Sequence, residues 1–344
     1  MHTETIRSRG WLAMRAMVLT AVGGPDVLQL AELPEPAIRG EHEVLVRLRA
    51  ASINPADYKQ RSHGTGGPLP VVLGSDGAGV VEATGDAVTR VQPGDEVYFC
   101  DGGFASVPGT YQEAKVVDEQ YLACKPQRLS FVEAAAAPLV TITAWEAQRE
   151  RARTSAGQFA LVQAGAGGVG HMSVQIARLA GARVATTVTP GPKTELASSL
   201  GAELCIDYTR EDVGEKLRGW TGMDGADVVH DTVGGKTFTA CFSLVRPYGD
   251  LVSNVESPWE AEAITAMHNR NLRVSFTWMP APLVFGWPGH RQRQRAILEH
   301  AAGLFDAGDL RVAVGATFPL EHAADAHRAL EAGQVIGKAV LTMP

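Results

Sequence analysis

The chain has 344 residues, 45% of them hydrophobic and 20% charged, with 31 Lys and Arg against 38 Asp and Glu for a formal net charge of −7. At about 150 residues per domain this is enough soluble globular chain for two domains, and the composition excludes a disordered or collagen-like protein. The mildly acidic balance also makes the chain a poor candidate for binding nucleic acid through phosphates, which needs a surplus of clustered Lys and Arg.

The opening MHTETIRSRGWLAMRA carries three arginines but lacks the apolar core of a secretory signal, so residues 1–13 read as an N-terminal extension. From Arg15 to about Lys125, short β-rich runs alternate with Gly and Pro: AMVLTAV, EVLVRLRAASI, GAGVVEATG, DEVYFC and AKVVDEQYLACKP. This spacing predicts a compact antiparallel β unit, barrel-like in texture. The pattern changes at Ser130, where a Ser N-cap with Glu133 at the capping-box spacing opens an Ala-rich helix, SFVEAAAAPLVTITAWEAQRERAR.

Between Gly157 and Thr277 six β-rich segments, FALVQAG, ARVATTV, AELCID, ADVVHD, DLVSNV and LRVSFT, alternate with helical ones. Strands and helices in this rhythm imply parallel βαβ units and a doubly wound sheet of the dinucleotide-binding kind. Beyond it, helices are expected near Gln292 to Ala307 and Leu320 to Ala332, followed by a last strand, KAVLTM. The longest uncharged apolar stretch, Val274 to Gly289, is too short for a bilayer and is broken by Pro280, Pro282 and Pro288, so no membrane segment is expected. Cys100, Cys124, Cys205 and Cys241 are scattered without a short ligand spacing, which fits a reducing cytoplasm better than a disulfide framework or a zinc knuckle.

The strand FALVQ runs into AGAGGVGHMSVQIARLAGA, where Gly165, Gly167 and Gly170 make G-x-G-x-x-G, with Gly168 as a fourth glycine and a helix expected from about Val169. Such a loop permits a tight turn, close approach of a pyrophosphate and close helix-to-strand packing, while the helix N-terminus offers N–H groups and positive potential. An NAD site usually places Asp or Glu at the end of the second strand, to bind the ribose 2′-hydroxyl. Here ARVATTV is followed by TPGPK, with no acid until Glu195. A 2′-phosphate would meet the hydroxyls of Thr187 and Thr189 and the ammonium of Lys193, so NADPH is favoured over NADH.

These residues resemble the medium-chain dehydrogenase/reductase superfamily, and within it the zinc-independent quinone oxidoreductase branch that includes zeta-crystallin and the enone reductases. MRAMVLTAVGGPDVLQL, INPADYKQR, PLPVVLGSDGAGVVEATG, VQPGDEVY, AAAAPLVTITAWEA, VQAGAGGVG, GADVVHDTVGG and GKAVLT follow in the family's order over nearly the whole chain. The resemblance implies an α/β protein with a GroES-like β-rich catalytic domain plus a Rossmann doubly wound parallel sheet. Its boundaries would be 14–138 for the first part of the catalytic domain, 139–277 for the NADPH-binding domain and 278–344 for the return to the catalytic domain.

Zinc-dependent relatives have a Cys where Asn54 stands and a His-Glu pair where Ser75 and Asp76 stand, and they carry a four-cysteine lobe that is missing here. Asn and Ser do not replace a thiolate and an imidazole, so no catalytic or structural zinc is expected. The resemblance implies that Asn54, Tyr58 and Lys59 form the catalytic group. Tyr58 and Lys59 would donate hydrogen bonds to the substrate oxygen, and Asn54 would orient substrate or nicotinamide. Asp57 would be structural, an acceptor for backbone or for a nearby Arg. By the same resemblance Thr143 contacts the nicotinamide end and Tyr208 lies beside the 2′-phosphate, while Gly234 and Asn254 occupy the ligand-binding edge of the sheet.

The implied activity is hydride transfer from NADPH to a quinone or to the C=C of an α,β-unsaturated carbonyl compound. Alcohol or aldehyde interconversion, or non-catalytic NADPH binding, are the alternatives. Family members pair across the sixth strand, which makes a homodimer the expected assembly. The aromatic stretch FTWMPAPLVFGWPGH is read as lining the cleft, covering an interface or lying in the core, and Arg291, Arg293 and Arg295 as a solvated helix face. No histidine, His171 included, has metal spacing or is given a chemical role.

Overall fold

A computed structural model describes residues 13–105 and 107–344; the expected extension at 1–13 therefore falls almost entirely outside the described residues. The N-terminal part contains β1 (Ala13–Leu19), β2 (Leu28–Pro34), β3 (Glu43–Ile53), helix α1 (Pro55–His63), β4 (Val71–Val72), β5 (Asp76–Thr84), β6 (Glu96–Cys100), β7 (Ala114–Asp118) and β8 (Ala123–Cys124). Helices α2 (Phe131–Ala136) and α3 (Pro138–Trp145) lead to β9 (Phe159–Val162), α4 (Gly168–Leu179), β10 (Arg183–Val188), α5 (Pro192–Ser199) and β11 (Leu204–Asp207). Then come α6 (Val213–Thr221), β12 (Ala226–Asp231), α7 (Lys236–Leu244), β13 (Val245–Ser253), α8 (Ala261–Asn269) and β14 (Arg273–Phe276). The chain continues through α9 (Ala281–Val284), α10 (Pro288–Ala307), β15 (Val314–Pro319), α11 (Ala323–Glu331) and β16 (Lys338–Thr342).

Strands β9 to β14 form one parallel sheet in the order β11-β10-β9-β12-β13-β14. The alternation of its side chains explains the double winding. Ala160, Val162, Val184, Val228 and Val252 pack with Val174, Ala177 and Ala197 of α4 and α5. Leu161, Ala185, Val229 and Leu251 face Leu217, Phe238, Phe242 and Ala263 of α6 to α8. From β9 the chain steps outward to β10 and β11 and then crosses back to β12 on the other side of β9, so a crevice opens at the carboxyl ends of these central strands.

The second large sheet runs β15-β16-β3-β5-β6-β8, with β7 also paired to β3, and a small sheet β2-β1-β4 lies beside it. Strand β16 pairs antiparallel to β3, with Ala339 opposite Ile53 and Leu341 opposite Ala51. In β3, Val44, Val46 and Leu48 alternate into the β core. From Ala50 onward both faces are buried, because α2 and the helices of the cofactor side cover the outer one.

The continuous helix expected after Ser130 is a correction. It is two helices, α2 and α3, because Pro138 has no N–H to continue α2 and restarts the helix as a first-turn residue. A π-helical turn, Glu146–Arg151, follows. The return helix expected from Gln292 begins at Pro288, and the one expected from Leu320 opens with a 3-10 turn before α11.

Candidate active site between the two sheets

The glycine loop fills the turn between β9 and α4, and contacts of 2.1 Å show why two of its glycines must be glycine. A Cβ on Gly165 would lie 2.1 Å from Thr186 Oγ1, and one on Gly170 would lie 2.1 Å from the Ala164 carbonyl oxygen. Gly167 precedes α4 with no side chain capping it, so Gly168, Val169 and Gly170 open the helix with their N–H groups toward the crevice. Beneath the loop, the Thr187 hydroxyl donates to Gln163 Oε1 at 2.6 Å and accepts from Ala164 N–H at 3.0 Å. Thr187 thus braces the loop from below and is 3% exposed.

Val188 ends β10, and half-buried Thr189 and Lys193 follow at the start of α5, where an NAD site would carry its acid. Tyr208, 55% exposed, follows β11 on the same edge. After β12, buried Asp231 accepts from the N–H groups of Val233 and Gly234 and from Ser253 Oγ, which shapes the turn at Gly234. Burial pushes His230 down to about 4, and this neutral ring spans Ser173 Oγ at 2.8 Å and Asn254 Oδ1 at 3.1 Å, fixing Asn254 at the end of β13. Thr143, 4% exposed, donates to the Leu139 carbonyl one turn back in α3. Apart from Thr143 on α3 and Thr187 within β10, these residues lie at the carboxyl ends of β9 to β13.

On the opposite wall lies a buried polar cluster. Asp76 is fully buried and accepts from Ser52 Oγ at 2.8 Å, Asn54 Nδ2 at 2.9 Å and Leu139 N–H at 2.8 Å. Lys338, at the start of β16, donates to the Ile53 carbonyl at 3.1 Å and to Asn54 Oδ1, and its Nζ lies 3.6 Å from Asp76 Oδ2. Burial pulls the Lys338 ammonium below its ordinary range, while the nearby carboxylates act in the opposite direction.

Asp57, on α1, accepts from Asn54 N–H at 2.8 Å and from the Tyr111 hydroxyl at 3.0 Å, while its other oxygen has no partner. It is a structural acceptor, with Tyr111 in the place where an Arg was expected. Tyr111 also meets His327 Nε2 at 3.2 Å, and Arg61 donates to His327 Nδ1 at 3.3 Å and pairs with Glu331. Burial pushes Asp57 up to about 7 and His327 down to about 3.

Of the three expected catalytic residues, Asn54 is inside this cluster, with both polar groups of its side chain engaged. Tyr58 is half-buried and Lys59 exposed on the next turn of α1. Sequence reasoning missed Lys338, Tyr111 and His327, and it used Ser75 and Asp76 only as departures from a zinc site. His171 has a structural role: its Nδ1 meets the Gly167 carbonyl at 2.9 Å and its Nε2 accepts from Ala313 N–H at 3.2 Å.

Only Arg293 of the arginine series, its side chain 61% exposed, has the solvated position expected for all three, and for Arg291 and Arg295 this is a correction. Arg291 pairs with Asp101 and stacks 3.4 Å from the Tyr121 ring centre, Arg293 pairs with Glu150, and Arg295 with Glu299. In the aromatic stretch, Met279 is core, whereas Phe276, Trp278, Phe285 and Trp287 are exposed.

A parallel cofactor sheet facing a β-rich wall across this crevice defines a two-domain dinucleotide-binding protein. Residues 40–127 match the family described as alcohol dehydrogenase GroES-like domain, and residues 200–341 the family described as zinc-binding dehydrogenase. The chain is 34% identical over 324 residues to a quinone oxidoreductase of Pseudomonas aeruginosa, an alignment covering 93% of this chain and 97% of that one. It is 41% identical over 230 residues to the chloroplastic NADPH-dependent alkenal/one oxidoreductase of Arabidopsis thaliana, covering 64% of this chain and 58% of that one. The structure of Escherichia coli quinone oxidoreductase complexed with NADPH superposes with a TM-score of 0.84, covering 96% of this chain and all of that one at 28% identity. The chain belongs to the medium-chain dehydrogenase/reductase superfamily, among relatives named quinone oxidoreductases and enone reductases.

Zinc does not fit the residues present. Among the described residues no three His, Cys, Asp or Glu side chains converge to hold a metal, and the cluster that contains Asn54 and Asp76 is filled by the Lys338 ammonium. NADPH does fit, because the uncapped start of α4, the glycine contacts and the acid-free end of β10 match its pyrophosphate and 2′-phosphate.

Proposed function

We propose that this chain is an NADPH-dependent oxidoreductase that transfers hydride to a quinone or to the C=C of an α,β-unsaturated carbonyl compound without a metal. The observation that carries the reading is the wall of the crevice, where a paired Asn54–Asp76–Lys338 cluster stands in place of metal ligands opposite an open phosphate-binding helix. The relatives named for quinone and for alkenal/one reduction support the same acceptor class.

Bound NADPH supplies the hydride. The N–H groups at Gly168, Val169 and Gly170 hold the pyrophosphate, with Gly165 and Gly167 giving the loop its shape. Thr189, Lys193 and Tyr208 receive the 2′-phosphate, and Thr143, Gly234 and Asn254 hold the nicotinamide end. As hydride arrives, the substrate oxygen becomes negative and needs donors placed in advance. Tyr58 and Lys59 fill that role on the open face of α1, and Asn54 orients the substrate. An alcohol dehydrogenase reading is weaker, since polarising a carbonyl by zinc needs donors that this cluster lacks.

Among the described residues no helix is long and apolar enough to cross a membrane. We infer a cytoplasmic homodimer, supported by β14, which forms a free edge of the parallel sheet with Phe276 42% exposed. Light scattering on the purified chain tests the assembly. The activity is tested by stopped-flow oxidation of NADPH, and in parallel NADH, against a panel of quinones and enones. Turnover with NADPH preferred is the expected result; no turnover with either acceptor class sinks the reading.

A further inference from the structure

We propose that Lys338 is a positioning residue, which fixes the Asn54 carboxamide and ties it mechanically to the phosphate-binding loop; this rests on the NADPH-dependent reading above. A buried ammonium is costly unless each hydrogen is paired. Lys338 is 2% exposed; its ammonium donates to the Ile53 carbonyl and Asn54 Oδ1, and its charge is balanced by Asp76 Oδ2 at 3.6 Å. Buried among these partners, the residue acts through its neighbours.

An Asn side chain has an acceptor at one end and two donors at the other. The ammonium holds Oδ1 while Asp76 holds one hydrogen of Nδ2. Rotating the amide by half a turn would set NH2 against the ammonium and oxygen against the carboxylate. The second Nδ2 hydrogen of Asn54 is therefore held in one direction.

The stem of Lys338 touches the other wall. Its Cδ lies 3.4 Å from where a Cβ on Gly168 would sit, in the first turn of α4. The preceding residue, Gly337, donates its N–H to the Ala166 carbonyl in the glycine loop at 2.9 Å. Lys338 N–H in turn donates to the Ala313 carbonyl at 2.9 Å, and Ala313 N–H donates to His171 of α4. One corner of backbone is thereby bonded directly to the loop at Ala166 and, through Ala313, to α4 at His171, while its side chain grips Asn54. Seating an anion on α4 displaces or stiffens this corner, and Asn54 follows it.

The test uses the double variant Lys338→Met, Asp76→Asn, which removes both charges together and leaves none unpaired. The expected result is a kcat lower by about 100-fold, the scale of losing one preorganised donor, with KM and NADPH affinity near those of the parent. Thermal melting reports separately on folding. A folded double variant with kcat within about threefold of the parent overturns the proposal.

A second measurement uses the unaltered chain. The Asn54 side-chain amide is followed by NMR as 2′-phospho-ADP-ribose, which has the pyrophosphate but no nicotinamide, is added. Its resonance moves if the loop and Asn54 are coupled; an unmoved resonance with the fragment bound overturns the coupling. A parent chain that binds the fragment and shifts this resonance, yet reduces neither quinones nor enones, sinks the functional reading alone.

Discussion

Asp57 carries a carboxyl group with no access to water and one oxygen without a partner, and burial pushes it up to about 7 from an ordinary 3.8. An acid whose folded value is raised binds its proton more tightly in the native state. Its contribution to stability is fully present below the unfolded value and is lost as pH rises through the folded one. At about 1.4 kcal/mol per unit, that loss amounts to about 4 kcal/mol by pH 8. Asp57→Asn stays neutral and keeps an oxygen for Asn54 N–H and Tyr111. The melting temperature of Asp57→Asn relative to the parent therefore climbs between pH 5 and pH 8, and a constant difference would mean that the native carboxyl titrates normally. At the two residues that follow Asp57 in α1, the Lys59→Ala, Tyr58→Phe variant is expected to lose about 100-fold in kcat while retaining NADPH binding by fluorescence titration. Unchanged turnover would remove both residues from the donor role. Asn54 was legible in the sequence through the motif INPADYKQR, whereas Lys338 was not. A lysine that opens a strand reads as a solvated end, and its burial arises only when β16 pairs with β3, whose last residue, Ile53, lies 285 residues earlier.

At the level of elements, local chemistry decided some outcomes and long-range packing the others. The six cofactor strands were readable because their β-rich runs alternate with helices, and both faces of the sheet are covered. The break at Pro138 was also written in the sequence, since a proline cannot continue the α2 hydrogen bonding, but the long alanine run masked it. Charge pairing across elements was not readable: Arg291 lies on α10 and its partner Asp101 just after β6, 190 residues earlier. Glycine positions give the element-scale test. Gly170→Ala places a methyl 2.1 Å from the Ala164 carbonyl, so α4 must move away from β9. The expected cost is about 1–3 kcal/mol in stability, with NADPH affinity at least about tenfold weaker because the helix N-terminus shifts. Gly219→Ala, inside α6 with open space around it, is the matched control and gains up to about 1 kcal/mol. Equal effects at the two sites, by chemical denaturation, would refute the packing argument.

At the scale of the whole molecule, β16 joins two cores that the chain order separates. Ala339 and Leu341 pack with Met17, Leu48, Phe99 and Tyr111 in the β core, while Val340 between them faces Tyr98, Ile142, Met172 and Phe305 on the cofactor side. Because successive strand residues point to opposite faces, one strand contributes to both interiors. Gly337 then fastens the same strand to the glycine loop. A defect buried in the β core should for this reason be felt by the nucleotide-binding side. Leu341→Ala removes a fully buried side chain and is expected to cost about 3 kcal/mol, in the range for such cavities. The coupling makes a further demand: the midpoint for thermal loss of NADPH binding must fall together with the midpoint for loss of β structure by circular dichroism, as one cooperative transition. If the circular-dichroism midpoint drops while NADPH binding survives to the parent's temperature, the two sheets unfold independently. Strand β16 would then be a passive closing strand with no mechanical connection between substrate wall and cofactor loop.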